Sequence, residues 1–318
     1  MRLINFAVSG GARLGCALGN EVLDVNGYLR RDLQQQGYDL TTATRQADQL
    51  APSDIGDVLA GGKAVLERLN AAVAAAGKLS DAAKAGLRAE RILCRQDDLS
   101  YLPPLPADAT LFCIGRNYAD HVAEAGSKTG EKPSLFTRLH NSVVGHGQPL
   151  LRPKLSHHFD WEVELAVVIG QHCRYVKKAD YRKVVAGYSI FNDGSLRDYQ
   201  RNAPNLTAGK NFFHSGAMGP CIVTDDEVAD PQKLQLRTLI NGEVMQDANT
   251  ATMIFDIGTI IEYITEFTPL RPGDVISTGT PAGVGFIRKP PRFLVPGDRL
   301  RMEVEGVGVL ENDIVDEV

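Results

Sequence analysis

Asp160-Trp-Glu-Val-Glu-Leu-Ala-Val-Val-Ile169 is the stretch of sequence that decides the fold. Its apolar, β-branched run predicts a strand, and successive side chains of a strand point to opposite faces of the sheet. Glu162 and Glu164 therefore point to one face, whereas Trp161 and Val163 point to the other. Two carboxylates so close together are unfavourable unless they lie in water or share a cation. The stretch thus indicates either a solvated strand end or a cation site.

Between residue 110 and the C-terminus, apolar runs with strand character recur. Turn residues such as Asn241-Gly242 and Pro272-Gly273-Asp274 bound them, and only residues 253–265 have the pattern of a solid helix. Helices do not alternate with the strands, which argues against a doubly wound sheet and favours a β-rich roll or sandwich. The runs are 111–114, 164–169, 185–191, 221–223, 234–240, 274–277, 299–304 and 307–310.

The first hundred residues have a different pattern. Short strand-like runs at 3–8, 14–18 and 21–25 precede helical patterns at 63–76 and 81–91. The run Leu102-Pro-Pro-Leu-Pro106 follows, and it predicts a stiff linker because prolines fix φ and remove hydrogen-bond donors. We therefore predict an α+β protein with a small N-terminal α+β domain at 1–101 and a β-rich catalytic domain at 107–318.

The composition argues against several classes of function. The chain has 318 residues and a net charge of −5, which gives no general attraction for nucleic acid or anionic membranes. It lacks both the ~20 consecutive apolar residues of a membrane span and the apolar run of a secretion signal. Its five scattered cysteines form no C-x-x-C and predict reduced thiols. We expect a cytoplasmic protein with a small-molecule partner, and neither a nucleic acid nor a membrane as partner.

Asp193, in Phe191-Asn-Asp-Gly-Ser195, follows another of the apolar runs. An acidic residue in this position is ordinarily part of a turn. With Glu162 and Glu164, however, it would complete one half of an octahedral oxygen site. Carboxylates without His or Cys favour Mg²⁺ or Mn²⁺ over Zn²⁺. The sequence predicts such a site, with a solvated turn as the alternative.

Cys113-Ile-Gly-Arg-Asn-Tyr-Ala-Asp-His-Val-Ala-Glu124 predicts a strand, a glycine turn and a short helix. His121 and Glu124 share one face of that helix. A carboxylate beside an imidazole sets its tautomer and stabilises its protonated form, as a general base requires, although a surface ion pair has the same spacing. The following residues, with Gly126 and Gly130, suit either a mobile flap or a simple loop.

Further polar residues are candidates for binding a substrate. Lys210 lies among small and apolar residues and suits either an oxyanion-binding role or a surface charge. Gln200 is a possible donor to the same group. The glycine-rich loop 278–285 lacks the Gly-Lys-Ser/Thr of a phosphate-binding loop, but backbone amides near Thr280 are able to bind a small carboxylate.

In their order along the chain, these pieces resemble the fumarylacetoacetate hydrolase family from residue 110 to the C-terminus. The matching runs are 115–124, 160–170, 187–200, 210–212, 241–243, 253–255 and 272–285. The resemblance implies a mixed β-sandwich roll, usually a homodimer, that binds Mg²⁺ or Mn²⁺. By motif, it assigns Glu162, Glu164 and Asp193 as metal ligands, His121 and Glu124 as the water-activating pair, Lys210 and Gln200 as oxyanion- and substrate-binding residues, and Arg116, Tyr118 and Thr280 as pocket residues.

The His-x-x-Glu pair is similar to that of the acylpyruvase and oxaloacetate decarboxylase branch. The chain departs from the family at Phe136-Thr-Arg138-Leu139, where Phe-x-Lys-Pro is common. Arginine keeps the charge of lysine but not its shape, so we expect the far end of the substrate pocket to differ.

We expect a divalent-metal-dependent hydrolase that cleaves the C–C bond of a small 2,4-diketo acid of the acylpyruvate or fumarylpyruvate type. His121 and Glu124 would activate water, and Lys210 and Gln200 would stabilise the oxyanion. The alternatives in the same site are decarboxylation of oxaloacetate and isomerisation or dehydration of a keto acid. A catalytically silent binding protein with the same roll is the remaining alternative.

Overall fold

Residues 1–9, 11–124, 126, 130–201 and 206–318 are described by the computed structural model. Up to residue 98 the elements are β1 Arg2–Val8, β2 Gly11–Leu18, β3 Glu21–Asp24, α1 Val25–Gln35, α2 Leu40–Leu50, α3 Ile55–Ala60, α4 Gly62–Gly77, α5 Asp81–Ala89 and β4 Leu93–Arg95. From residue 107 to 224 they are β5 Leu111–Gly115, α6 Ala119–Glu124, β6 Ser134–Arg138, β7 Val143–Val144, β8 Leu150–Arg152, β9 Phe159–Asp160, β10 Val163–Ile169, β11 Val185–Asn192, β12 Ser195–Leu196, α7 Arg197–Arg201, α8 Thr207–Lys210 and β13 Gly216–Thr224. The remaining elements are β14 Gln235–Ile240, β15 Glu243–Asn249, α9 Ile257–Phe267, β16 Val275–Ser277, β17 Arg299–Val304 and β18 Gly308–Asp316.

Two large mixed sheets organise these strands. The first runs in the order β4-β3-β2-β1-β13-β11-β10-β16-β5-β6, with β7 also paired to β13, and the second runs β15-β14-β17-β18-β8. Most neighbours are antiparallel, whereas β16 with β5, β18 with β8 and β13 with β7 are parallel. The second sheet packs on β10, β11 and β13 of the first. The prediction of a strand-rich α+β fold is confirmed.

Strand β10 is apolar on both faces because it is buried on both faces. Val163, Leu165 and Val167 belong to the core between the two sheets. Ala166 and Val168 belong to a second core on the opposite face, which the N-terminal helices cover. This alternation is what the sequence predicted, and it leaves Glu164 on the side of Ala166.

The N-terminal strands extend the large sheet. Strand β1 pairs antiparallel with β13, with Leu3 opposite Ile222. The Asn5 side chain donates to the Pro103 carbonyl at 2.9 Å, and the Leu102 amide donates to the Asn5 carbonyl at 2.9 Å. The proline-rich segment therefore lies against β1. The division into domains at 1–101 and 107–318 stays a prediction.

Local hydrogen bonds move two of the predicted boundaries. The helix expected at 253–265 begins at Ile257, because the Asp256 carboxylate caps it by accepting from the Thr259 amide at 2.8 Å. Strand β10 begins at Val163 and leaves Glu162 outside it. There the Glu162 amide donates to the Asn192 side chain at 3.2 Å instead of joining the ladder.

In the described part of the chain, no helix has the length and the apolar character needed to cross a membrane. All five cysteines are free thiols, as the sequence predicted.

Candidate active site

Three buried carboxylates meet where β10 begins and β11 ends. One oxygen from each of Glu162, Glu164 and Asp193 lies within 4.8 Å of the others. Because β10 and β11 are antiparallel, the start of one strand lies beside the end of the other, and the Asp193 amide donates to the Glu162 carbonyl at 2.9 Å. Gly194 permits the turn after Asp193, since a Cβ there would lie 2.0 Å from the Ser215 carbonyl oxygen. The structure thus brings together the three residues that the sequence proposed as metal ligands.

One oxygen of Glu164 accepts all the hydrogen bonds that the described residues make to this carboxylate. Its Oε2 accepts from the Ser277 hydroxyl at 2.6 Å and from the Gly279 amide at 2.8 Å. Burial raises the pKa of Glu164 well above its usual range, and the charges of Asp193 and Glu162 raise it further. Its environment therefore disfavours a third negative charge unless a cation neutralises it.

Basic side chains bind the other two carboxylates. Lys210 Nζ lies 2.6 Å from Glu162 Oε2 and 2.6 Å from Asp193 Oδ2. Arg197 Nη1 lies 2.7 Å from Glu162 Oε1, and Arg138 Nη1 lies 2.7 Å from Asp193 Oδ1. Burial raises the pKa of Glu162, but Lys210 and Arg197 outweigh that effect and hold this pKa below its usual range.

The charges of this buried cluster do not balance. Among the described residues, the carboxylates of Asp160, Glu162, Glu164 and Asp193 face the cations Arg138, Arg197 and Lys210, and all seven are buried. With all four carboxylates ionised, the cluster would be one positive charge short. A divalent cation would reverse that sign and would attract an anionic ligand. The donor set, composed of carboxylate oxygens, fits the hard ions Mg²⁺ and Mn²⁺.

A cavity of about 410 Å³ opens beside the three carboxylates. Of the residues predicted to bind substrate, Arg116, Gln200 and Thr280 line it, as do His121 and Lys210. Helices α7 and α8 pack closely enough to bring Gln200 beside Lys210, since a Cβ on Gly209 would lie 2.5 Å from the Gln200 backbone nitrogen. The site is therefore assembled from segments that lie far apart in the sequence.

His121 and Glu124 come from helix α6, and only His121 reaches the cavity. His121 Nδ1 lies 3.8 Å from Glu124 Oε2, too far for a hydrogen bond, and Glu124 Oε2 instead accepts from the Gly283 amide at 3.0 Å. Burial lowers the pKa of His121, so the imidazole is neutral near pH 7 and is able to accept a proton. Within the predicted flap, residues 125 and 127–129 lie outside the described residues.

Tyr118 and Thr280, both predicted to line the pocket, have surroundings that differ from those expected. Tyr118 is 1% exposed, belongs to the core between the sheets and does not line the cavity. Burial raises the pKa of Tyr118, and the charge of Glu164 adds to the effect. Thr280 lines the cavity, but its hydroxyl donates to the Val163 carbonyl at 3.0 Å and accepts from the Gln246 amide at 2.9 Å.

Lys210 and Gln200 differ in how freely they can serve a ligand. Lys210 Nζ donates its three hydrogen bonds to Glu162 Oε2, Asp193 Oδ2 and the Asp193 carbonyl, the last at 3.1 Å. It must give up one of these bonds before it can stabilise an oxyanion. Gln200 Oε1 accepts from Arg197 Nη1 at 2.8 Å, which leaves the amide NH₂ as the donor for a ligand.

The departure from Phe-x-Lys-Pro suggested that Arg138 alters the far end of the substrate pocket. The structure places Arg138 elsewhere. Its side chain is fully enclosed, it does not line the cavity, and it binds Asp193. Sequence reasoning placed it wrongly because strand β6 carries both Phe136, which lines the cavity, and Arg138, which extends beneath the carboxylates.

Asp160 and Arg197 are site residues whose roles the sequence did not reveal. Asp160 Oδ2 lies 2.7 Å from Arg197 Nε, and Asp160 Oδ1 accepts from the Gly285 amide at 2.7 Å. Asp160 therefore fixes the arginine that in turn binds Glu162. The alternation of Asp160, Glu162 and Glu164 in the first quoted stretch was the signal available for it.

Comparison with known proteins assigns these features to a family. The family model "Fumarylacetoacetate (FAA) hydrolase C-terminal" matches residues 110–315. A relative named "Oxaloacetate tautomerase Fahd2a, mitochondrial" from Rattus norvegicus is 38% identical over 234 residues, 73% of this chain and 75% of its own length. "Oxaloacetate tautomerase fahd2, mitochondrial" from Xenopus laevis is 33% identical over 321 residues, 99% of this chain and 90% of its own length.

A solved structure, fumarylacetoacetate hydrolase from psychrophilic Exiguobacterium antarcticum, matches the fold at a TM-score of 0.76 with 30% identity. The match covers 100% of both chains. The relatives' names support an oxaloacetate-related reaction better than the hydrolysis expected from the sequence, and they place those relatives in mitochondria. The expected cytoplasmic location and homodimeric state of this chain stay predictions.

Proposed function

Because this chain belongs to the fumarylacetoacetate hydrolase family, we propose that it is a divalent-metal-dependent tautomerase of a small 2-keto dicarboxylic acid of the oxaloacetate type. One observation carries the proposal. Three buried carboxylates lie within 4.8 Å of one another beside a cavity that also receives His121, Gln200 and Lys210. The arrangement supports a cation site and a neutral base in the same cavity.

Glu162, Glu164 and Asp193 would hold Mg²⁺ or Mn²⁺. A bound divalent ion supplies Lewis acidity, which stabilises negative charge on the oxygen of a neighbouring keto group. Glu164 offers the freest oxygen, since within the described ranges only its Oε2 accepts a hydrogen bond. With all four carboxylates ionised, the same cluster would be unsuitable for an anionic substrate without such an ion.

Arginines at the cavity suit the second carboxylate of the substrate. Arg116 and Arg201 line the cavity, and neither has an ion-pair partner among the described residues. The guanidinium of Arg201 lies 5.9 Å from the centre of the Phe286 ring, which helps to hold it at the cavity. Two unpartnered cations at one opening favour a dicarboxylate over a monocarboxylate.

His121 is the proposed base. Its Nδ1 faces Glu124, which leaves Nε2 as the nitrogen for the substrate. The neutral imidazole takes a proton from the carbon next to the keto group, and the resulting imidazolium returns that proton to the keto oxygen to complete the enol. The Gln200 amide donates to that oxygen as charge develops.

The test follows the keto–enol interconversion of oxaloacetate by the ultraviolet absorbance of the enol, with Mg²⁺ or Mn²⁺. We expect a rate above that of buffer and metal alone, and we expect it to vanish after exhaustive chelation. Glu164→Gln is the test variant. Its matched control is Glu67→Gln, because Glu67 belongs to an exposed ion pair on α4. A wild-type rate no higher than that of the metal alone would contradict the proposal.

Hydrolysis of the C–C bond of a 2,4-diketo acid is a second candidate. His121, held near the Glu124 carboxylate, is also suited to activating a water molecule. Pyruvate release from an acylpyruvate distinguishes the two reactions, because tautomerisation releases none. Pyruvate formation from an acylpyruvate, without interconversion of oxaloacetate, would favour the hydrolase.

A further inference from the structure

We propose that Arg138 is a positioning residue whose guanidinium orients Asp193 and thereby sets the affinity of the site for a divalent ion. This inference rests on the metal site of the proposed function. Arg138 Nη1 donates to Asp193 Oδ1 at 2.7 Å and to the Gly194 carbonyl at 2.9 Å. Lys210 binds the other oxygen, Asp193 Oδ2, at 2.6 Å. Both ends of the carboxylate are therefore held, and its plane cannot rotate freely.

The surroundings of Arg138 fit a guanidinium and not merely a positive charge. Its Nη2 donates to Ser215 Oγ at 2.9 Å and its Nε donates to Ser142 Oγ at 3.2 Å. Each serine hydroxyl donates its own proton to a backbone carbonyl. Ser215 donates to Phe212 and Ser142 donates to Leu139, each at 2.7 Å. The serines can therefore only accept from Arg138. A lysine ammonium, which is a single point, cannot reach both serines and Asp193 together.

The backbone also leaves room for the guanidinium. A Cβ on Gly216 would lie 2.6 Å from Arg138 Nη2 and 2.9 Å from Arg138 Cζ. Strand β13 therefore passes the side chain at a distance that only glycine permits. The aromatic ring of Phe191 lies on another side of the guanidinium, 5.7 Å from Arg138 Cζ. Arg138 is thus enclosed in a space shaped for it, and among the described residues Asp193 is its one charged partner.

Arg138 acts through Asp193 and does not touch a substrate. It is absent from the lining of the cavity, whereas Ser134 and Phe136 of the same strand line it. Altering a residue that orients a metal ligand typically lowers the affinity for the metal about 10–100-fold. The effect should therefore appear in the binding of the ion and not in the KM for a keto acid measured at saturating metal.

Calorimetric titration of the metal-free chain with Mn²⁺ tests the inference. Arg138→Lys keeps the charge and should raise the Kd for Mn²⁺ about 10–100-fold. Excess Mn²⁺ should then restore activity with an unchanged KM. Arg152→Lys is the matched control, because Arg152 makes a comparable contact to Asp316 at 2.8 Å outside the site. It should bind Mn²⁺ as the wild type does.

A folded Arg138→Lys chain that binds Mn²⁺ as tightly as the wild type would overturn the inference and leave the proposed function standing. A wild type that binds no Mn²⁺ would overturn both. If Arg138→Lys does not fold, Ser215→Ala decides the matter, since it keeps the guanidinium and removes one anchor. We expect it to weaken Mn²⁺ binding about twofold to tenfold, and unchanged affinity would count against the inference.

Discussion

Replacing Glu164 with glutamine should stabilise the metal-free protein, although Glu164 is a proposed metal ligand. The amide oxygen of glutamine can still accept from Ser277 and Gly279, so the hydrogen bonds survive. The substitution removes the ionisable carboxyl group, whose charged form is disfavoured by burial and by the two neighbouring carboxylates.

The magnitude follows from the spacing of the charges. Like charges within 4.8 Å of each other cost roughly 3 kcal/mol per neighbour at an effective dielectric constant of about 20. Glu162 and Asp193 each impose that cost on Glu164, and attraction to Lys210 offsets about one of the two. The expected gain in the free energy of unfolding at pH 7 is therefore about 3 kcal/mol.

The gain should depend on pH in a defined direction. The pKa of Glu164 is raised in the folded state, so the protonated acid folds at no cost below its ordinary pKa of 4.5. Stability is lost as the pH rises from 4.5 through the folded-state pKa. Glu164→Gln should thus match the wild type near pH 4.5 and exceed it progressively up to pH 7.

The assay is urea unfolding in the presence of a chelator at several pH values, with Glu162→Gln as the matched variant. Glu162→Gln should lower the free energy of unfolding by about 3–5 kcal/mol, because it removes a buried carboxylate that pairs with both Lys210 and Arg197. A Glu164→Gln chain that is less stable than the wild type at pH 7, or a Glu162→Gln chain that is more stable, would refute the reasoning.

Three further predictions concern activity. His121→Ala should lower kcat about 10²–10⁴-fold with unchanged Mn²⁺ affinity, whereas the exposed His172→Ala should behave as wild type; equal rates for both variants would exclude His121 as the base. Because burial lowers the pKa of His121, kcat/KM should hold as the pH falls to 6.5 and decline only below it, so a decline that begins above pH 6.5 would contradict this role. Arg201→Met should raise the KM for oxaloacetate about fivefold and leave that for a monocarboxylic keto acid unchanged, as expected for an exposed ion pair; an equal change for both acids would exclude a contact with the second carboxylate.

The sequence predicts the fold and the carboxylates well because both rest on local patterns. The alternation in 160–169 places odd-numbered residues in one core and Ala166 and Val168 in the other, as observed. The same period leaves Glu162 and Glu164 on one face. Asp193 joins them because β10 and β11 are antiparallel neighbours, which two consecutive strands commonly are.

Contacts between distant segments are what the sequence could not predict. The pairing of β1 with β13 depends on how the whole chain folds, and nothing in residues 2–8 specifies the partner. The position of Arg138 beneath Asp193 depends on the packing of β6 near β13, so a motif comparison assigned it to the wrong part of the site. Tyr118 was misplaced for the same reason, since a position within a motif does not tell which way a side chain packs.

Anomalous diffraction from crystals soaked with Mn²⁺ tests the central claim most directly, namely that Glu162, Glu164 and Asp193 bind one ion together. We expect a single manganese peak at about 2.2 Å from one oxygen of each carboxylate, and we expect this peak to be absent from crystals of Glu164→Gln. A peak located elsewhere, or no peak between these three residues in an active protein, would contradict it.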